Sequence, residues 1–318
     1  MKKPAILIFG LLLFWSMPAI AQEVQLLKKQ DNTYNFGVQV EGVNRTFLVH
    51  VPKSYTEGSS TQYPVVFMLH GGGGSGKKYY NISGWKELGD REGVITVFPT
   101  AQIICYIDRE TGKQDRGRYW LNSSKAAALC AGQNPHDDVA FMRLIADHLK
   151  SSFTVDTKRF YCTGFSNGMG FTLSRVIPEL TDIFAAVGGT GSMLPEAIPT
   201  TNPLPCWMMI GERDPKLIRH NNNQPFPTTV EGFEENELLS DIVSQLLNVL
   251  QLEANFEAKE RKKHTSFYFK ETKDNGSQEL RFSVLKGQKH TYPRGIEDHN
   301  NVVVADIFWD FFKQYQKD

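Results

Sequence analysis

The sequence carries no excess of charge. Its 35 Lys and Arg balance 35 Asp and Glu over 318 residues, with no long basic run. Nothing in that balance points to nucleic acid or to an anionic membrane as a partner. Cysteine is scarce: Cys105, Cys130, Cys162 and Cys206 are the only four. None has the C-x-x-C spacing of a metal site, and no H-E-x-x-H occurs, so neither a metal nor a cofactor is expected. Repeats, low-complexity tracts and Gly- or Ser-rich linkers are also missing, which argues against a string of small modules.

Only the N-terminus holds a long hydrophobic run. Basic "MKK" is followed by "PAILIFGLLLFWSMPAI" and the small residues Ala19 and Ala21. This pattern predicts a secretory signal peptide over residues 1–21, cut after Ala21. Pro18 interrupts the run and no basic stop-transfer flank follows, so a permanent membrane span is disfavoured. A secreted or periplasmic protein follows, with no membrane attachment after cleavage. Residues 22–318 then form one domain of about 300 residues, large enough for a single α/β core. An exported chain can carry disulfides. Cys105 and Cys130 share one irregular segment, where loop closure helps, and are expected to pair. Cys162 and Cys206 are expected to remain buried thiols on the strands leading to Ser166 and Asp214, with "IFAAVGG" running between those strands.

"NFGVQVEG" and "RTFLVHVP" predict two strands joined by a short turn. "YPVVFMLH" and "VITVFPT" are continuous apolar runs of strand length, the type buried on both faces of a parallel sheet. "GWKELGDREG" predicts a short helix closed by Gly93. Residues 101–135 show no clear period and read as a long ordered excursion. "DDVAFMRLIADHLKSSF" predicts an amphipathic helix with Val139, Met142, Ile145, Ala146 and Leu149 on one face, capped by Asp137 or Asp138. Further on come a strand in "KRFYCTGFS", a helix in "NGMGFTLSRVIPEL", and strands in "IFAAVGGTG" and "PCWMMIG". "ENELLSDIVSQLLNVL" is a strong helix, "TSFYFKET" and "ELRFSVLKG" are late strands, and "NVVVADIFWDFFKQY" is a last helix. Strands alternating with helices predict a mostly parallel sheet covered on both faces. The polar stretch 220–236 reads as an insertion.

One motif carries chemistry. Gly164-Phe165-Ser166-Asn167-Gly168 is a G-x-S-x-G. The pattern alone is too common to prove anything. Its position between a strand and a helix is the informative part. A nucleophile elbow needs that turn to lift the serine oxygen above the sheet, and glycines on either side avoid collisions inside it. The bland alternative is a helix cap.

A serine hydroxyl needs a base, and the base an orienting carboxylate. On this architecture the chain order is Ser, acid, His. Only His220, His264, His290 and His299 follow Ser166 and the acid. His290 comes just after the strand "RFSVL", at the carboxyl edge where ligands bind. His264 precedes its strand and is expected at the opposite edge; His220 lies in the polar insertion, and His299 is the runner-up. Asp214 and Glu212 both follow "CWMMIG"; Asp214, further into the loop, is favoured. The developing oxyanion needs preorganised N–H donors. The amide of Asn167 is one, and a glycine of the loop His70-Gly71-Gly72-Gly73-Gly74 is the other, best placed at Gly72 with Gly71 or Gly73 close behind. His70 itself reads as a tie between that loop and the sheet.

The combination "LHGGGGSG", "HDDVAFMRLIADHL", "RFYCTGFSNGMG", "IGERDP" and "KHTYPRG" resembles the secreted polyhydroxybutyrate-depolymerase-like esterases of the α/β-hydrolase fold, which include feruloyl and acetylxylan esterases. The likeness runs from about residue 35 to 315. It implies Ser166, Asp214 and His290 as the triad. The chain departs from the family pattern at Gly72, where a cysteine is common, at "KLIR" after the acid, and at Tyr292-Pro293-Arg294, where Trp-Pro-Gly is usual.

The reading is thus a serine carboxylesterase acting on acyl or feruloyl esters, free or attached to plant polysaccharide. Tyr119, Trp120 and Tyr292 are the expected aromatic walls of its pocket. A general short-chain esterase and a polyester depolymerase stay open as alternatives. Rivals of other kinds are a peptidase of the prolyl-oligopeptidase type, an inactive hydrolase used as a binding protein, and a metal hydrolase built on His136, Asp137 and Asp138. The last is disfavoured because adjacent acids at a helix start are usually caps.

Overall fold

The computed structural model describes residues 23–108, 111–135, 137–193, 200, 202–270, 278–296 and 301–317. The expected signal segment lies outside them, as do His136 and His299. The strands are β1 (Val24–Gln30), β2 (Thr33–Val40), β3 (Val43–His50), β4 (Tyr63–Leu69) and β5 (Ile95–Pro99). They continue with β6 (Ile103–Ile107), β7 (Gln114–Arg118), β8 (Val155–Phe165), β9 (Ala186–Thr190) and β10 (Cys206–Gly211). The last are β11 (Phe256–Glu260), β12 (His264–Lys270) and β13 (Glu279–Leu285).

Eleven strands form one sheet in the order β1-β2-β3-β5-β4-β8-β9-β10-β13-β12-β11. The central six, β5 through β13, are parallel; the strands outside them pair antiparallel. Every residue of β4, β5, β9 and β10 is buried, which is why these segments read as unbroken apolar runs.

The helices are α1 (Gly76–Ile82), α2 (Trp85–Glu92), α3 (Ser123–Ala126) and α4 (Asp138–Ser152). Next, α5 (Asn167–Phe171) runs through a π-helical turn, Thr172–Val176, into α6 (Ile177–Glu179). Then come α7 (Val230–Glu235), α8 (Glu237–Leu250) and α9 (Val304–Phe312). Two cores result, one on each sheet face. The stripes of α4 and α8 pack with α5 on one face; Trp85 and Leu88 of α2 pack with Phe308 and Phe312 of α9 on the other. All five apolar residues assigned to one face of α4 are buried, and Asp137 caps it by accepting from Val139 N–H.

Several expectations need correction. Strands β1 and β11 escaped the sequence reading because they are largely exposed edge strands without an apolar period. The excursion 101–135 holds regular structure: β6 and β7 pair as a separate hairpin and α3 follows. Its strand β7, "QDRGR", has no hydrophobic signal. Cys105 and Cys130 are bonded across it, while Cys162 and Cys206 are free and buried, with β9 between their strands. The reason given for setting His264 aside fails. Strand β12 runs antiparallel to β13, so His264 pairs with Leu285 at the carboxyl edge.

Strand β4 lies between β5 and β8. The chain leaves β4 toward β5 and later returns to β4's other side. The loops after β4 and β8 therefore part at the carboxyl edge, and such a switch point is where open α/β sheets form their ligand crevice.

Candidate active site

Ser166 stands between the end of β8 and the start of α5, with φ 50° and ψ −117°. A non-glycine residue in that region is strained, and here the surroundings hold it: Ser166 N–H donates to Thr190 O at 2.9 Å. The flanking glycines are required by space. A β-carbon on Gly164 would lie 2.5 Å from the carbonyl carbon of Gly168, and one on Gly168 would lie 2.5 Å from Leu69 O. The register Leu69↔Gly164 sets the ends of β4 and β8 side by side, so that the loops leaving them start from adjacent points.

His290 sits on the short loop after β13. Its Nε2 is 2.9 Å from Ser166 Oγ, and its Nδ1 is 2.7 Å from Asp214 Oδ2. Asp214 is 1% exposed, and its second oxygen accepts the N–H of Lys216 at 2.9 Å. Next to a buried carboxylate, Nδ1 carries the proton, so the Nε2 lone pair faces the serine hydroxyl. Glu212, the other acid considered, serves the loop instead: its carboxylate accepts Gly287 N–H at 2.6 Å. Buried Gln288 fastens the same loop by donating to Lys289 O and Thr291 O.

The glycine loop after β4 is held by His70. The Ala101 amide donates to His70 Nε2 at 2.9 Å, so Nδ1 bears the hydrogen and donates to Gly71 O at 2.8 Å. Burial pushes this imidazole down to about 4, which keeps it neutral. The amides of Gly73 and Gly74 are occupied by Arg118 O and Gly71 O. Those of Gly72 and Asn167 have no hydrogen-bond partner among the described residues. Gly72 is exposed and Gly71 buried, so Gly72 is the open position of the loop.

Two of the expected pocket walls are not walls. Trp120 is 0% exposed: its ring packs on His70 and Phe171, and its Nε1–H donates to His70 O at 3.0 Å. Tyr292 is 6% exposed, wedged edge-on against Tyr79 and Phe165 below His290. Tyr119 alone stays half-exposed. Its ring lies against Gly72, where a β-carbon would come within 2.4 Å of it, and its hydroxyl donates to Asp115 at 2.7 Å.

Three supports were missed at the level of sequence. The side chain of Asn167 binds both backbone groups of Trp120. Asp138 is fully buried, pairs with Arg45 at 2.7 Å and accepts Leu121 N–H at 2.8 Å, anchoring the excursion on α4. Its place in "DDV" beside a cap was the available signal. Lys125 reaches over the Tyr106 ring at 3.0 Å, with burial pushing its ammonium down to about 8.

No protein-family profile matches the chain. It is 29% identical over 155 residues to the protein named "Putative esterase NocK" of Nocardia uniformis subsp. tsuyamanensis, covering 48% of this chain and 40% of that protein. It is 25% identical over 204 residues to the bifunctional acetylxylan esterase/xylanase XynS20E of Neocallimastix patriciarum, covering 64% of this chain and 25% of that protein. The chain thus spans less than half the length of these two relatives. Among solved structures it superimposes on an S-formylglutathione hydrolase of Agrobacterium tumefaciens with a TM-score of 0.57, at 12% identity over 94% of this chain and 99% of the other. An acetyl xylan esterase of Aspergillus awamori gives 0.52, at 15% identity over 91% and 99%. Its relatives by sequence carry esterase names, and the chain has the α/β-hydrolase fold of these solved hydrolases.

Proposed function

We propose that the chain is a serine carboxylesterase, exported, that cleaves acyl or feruloyl esters carried on plant polysaccharide. One observation carries the enzymatic part. A strained serine at a strand–helix elbow lies 2.9 Å from a histidine nitrogen whose other nitrogen lies 2.7 Å from a buried carboxylate. Ser166 is the nucleophile, His290 the base and Asp214 the group that orients it. His290 Nε2 takes the hydroxyl proton as Oγ bonds to the ester carbon. The oxyanion accepts N–H bonds from Asn167 and Gly72. Collapse expels the alcohol, protonated by His290, and water then cleaves the acyl-enzyme by the same route in reverse.

The polysaccharide part is supported by the acetylxylan esterase portion of the XynS20E name and by the family motifs. Export is supported by the N-terminal pattern and by the Cys105–Cys130 bond, since disulfides persist in oxidising compartments. Among the described residues no helix is long and apolar enough to cross a membrane.

A second reading, a general short-chain esterase, is favoured by the burial of Trp120 and Tyr292, which leaves Tyr119 as the one expected aromatic at the oxyanion loop. Rates on acetyl, butyryl and feruloyl esters, acetylated xylan and polyhydroxybutyrate decide between them. A fluorophosphonate label on Ser166 tests the nucleophile directly. Failure to label, with folded protein, would overturn the enzymatic reading.

A further inference from the structure

Two chains of hydrogen bonds lead to the oxyanion donors assigned above, the amides of Gly72 and Asn167, and both start at one buried ion pair. Arg45 on β3 and Asp138 at the first residue of α4 are 2% and 0% exposed, and Arg45 Nη2 lies 2.7 Å from Asp138 Oδ1. The Phe141 ring covers the guanidinium at 4.1 Å. Taking two charges out of water is costly, and apolar side chains filling the same space are often as stable or more so. The pair therefore needs a reason other than the strength of the core.

The first chain leaves Arg45. Its Nη2 also donates to Thr100 O at 3.3 Å. The N–H of the same peptide unit, that of Ala101, donates to His70 Nε2 at 2.9 Å. His70 Nδ1 donates in turn to Gly71 O at 2.8 Å. Gly71 O and the Gly72 N–H belong to one planar trans peptide, in which carbonyl and N–H point opposite ways. Holding the carbonyl on His70 thus aims the Gly72 N–H away from that ring.

The second chain leaves Asp138. Its other oxygen, Oδ2, accepts the N–H of Leu121 at 2.8 Å. The carbonyl of that same peptide unit, Trp120 O, accepts from Asn167 Nδ2 at 3.0 Å. Asn167 Oδ1 takes the Trp120 N–H at 2.7 Å, so both polar atoms of the side chain are held. Asn167 opens α5 directly after Ser166, and a fixed side chain steadies the backbone N–H beside it. Charge strengthens both chains, because hydrogen bonds in series polarise one another. A cation on Thr100 O makes the Ala101 N–H a better donor; an anion on the Leu121 N–H makes Trp120 O a better acceptor.

We propose that Arg45 and Asp138 are positioning residues of the oxyanion hole, one aiming the amide of Gly72 and the other that of Asn167. The proposal rests on the serine-esterase reading and adds to it a pair with no hydrogen bond to the triad among the described residues.

The test replaces the pair by an apolar one, Arg45→Met with Asp138→Leu, which removes both chains and leaves no lone buried charge. Melting curves and circular dichroism check the fold. On p-nitrophenyl acetate the double variant is expected to lose about 10-fold to 100-fold in kcat at nearly unchanged KM, because misplaced donors weaken the transition state and not the bound ester. A trifluoromethyl ketone adds to the serine as a tetrahedral hemiketal bearing the oxyanion, with His290 taking the proton, and should lose affinity by a similar factor. Asp138→Asn is the milder second variant, for use even if the double variant does not fold. It keeps an acceptor, removes the charge, and should show the same split at about fivefold. Ser266→Ala is the control. It breaks a buried hydroxyl pair with Ser283, 2.7 Å apart on β12 and β13, and should lower the melting temperature and leave kcat alone.

Wild-type kcat and ketone affinity in the folded variants of the pair would overturn the positioning role and leave the esterase reading standing. So would a kcat loss in Ser266→Ala that follows melting temperature as it does in the pair. A folded wild-type protein that hydrolyses no ester and binds no trifluoromethyl ketone would overturn the esterase reading, and the proposal with it.

Discussion

Asn167 holds Trp120 by both of its backbone polar groups. Asn167 Oδ1 accepts the Trp120 N–H at 2.7 Å, and Asn167 Nδ2 donates to the Trp120 carbonyl at 3.0 Å. The residue after Ser166 thereby mimics a neighbouring strand, and Trp120 passes the constraint on to His70 O. Elbow, excursion and glycine loop become one rigid body. Trp120→Ala is expected to cost about 3–5 kcal/mol of stability, from a cavity in the core. It should lower kcat on acetyl and feruloyl esters alike. A loss confined to feruloyl esters, with the melting temperature unchanged, would mean instead that the indole touches the acyl group.

Ser166→Ala and His290→Ala are each expected to reduce kcat by roughly 10⁴-fold or more, with the fold intact by circular dichroism. Asp214→Asn should fall in the same class, because the amide no longer holds the Nδ1–H tautomer. Glu212→Gln keeps an acceptor for Gly287 N–H and should cost far less. Reversed ranks for Asp214 and Glu212 would reassign the acid.

Acid should weaken the fold through His70. Its imidazole is lowered from the ordinary 6.5 to about 4 by burial. Between those values the unfolded chain binds a proton that the folded chain refuses, so stability rises with pH across the window and falls on acidification. The contribution is on the order of 3 kcal/mol. His264, also pushed down to about 4, acts in the same direction, so the comparison must be made against a His70→Asn variant. That variant should be less stable at pH 7 and show a shallower loss between pH 6.5 and 4. Parallel curves for the two proteins would remove His70 from the account.

The Cys105–Cys130 bond closes a loop with a sequence separation of 25. The chain-entropy argument gives it about 3 kcal/mol. Replacing both cysteines by alanine should lower the melting temperature and, by loosening the excursion that carries Tyr119, raise KM more than it lowers kcat. Unchanged KM in a destabilised variant would separate the excursion from substrate binding.

Much of the sheet was legible because buried parallel strands have to be continuous apolar runs: Tyr63–Leu69 and Cys206–Gly211 are buried at every position. The elbow was legible because its glycines obey a steric rule at fixed spacing. Strands β1 and β11 were not, since one-dimensional patterns are silent about edges held mainly by backbone hydrogen bonds. The pocket walls were misread for a related reason. Aromatic character says that Trp120 and Tyr292 bury area; it does not say whether a ligand or the core covers them. His264 was assigned to the wrong edge because its true place depends on β12 running antiparallel, a fact of pairing that no local residue encodes.

The parts of the site are far apart along the chain. Ser166 and His290 are separated by 124 residues, and Asp214 and His290 by 76. The histidine reaches the serine only once β13 has docked beside β10, almost the last strand pairing the chain can make. On the proposed mechanism an incompletely folded chain therefore carries an unactivated serine, since His290 is not yet within reach of its proton. Reactivity toward esters arrives together with the completed sheet, so the time course of fluorophosphonate labelling during refolding reports when β13 closes.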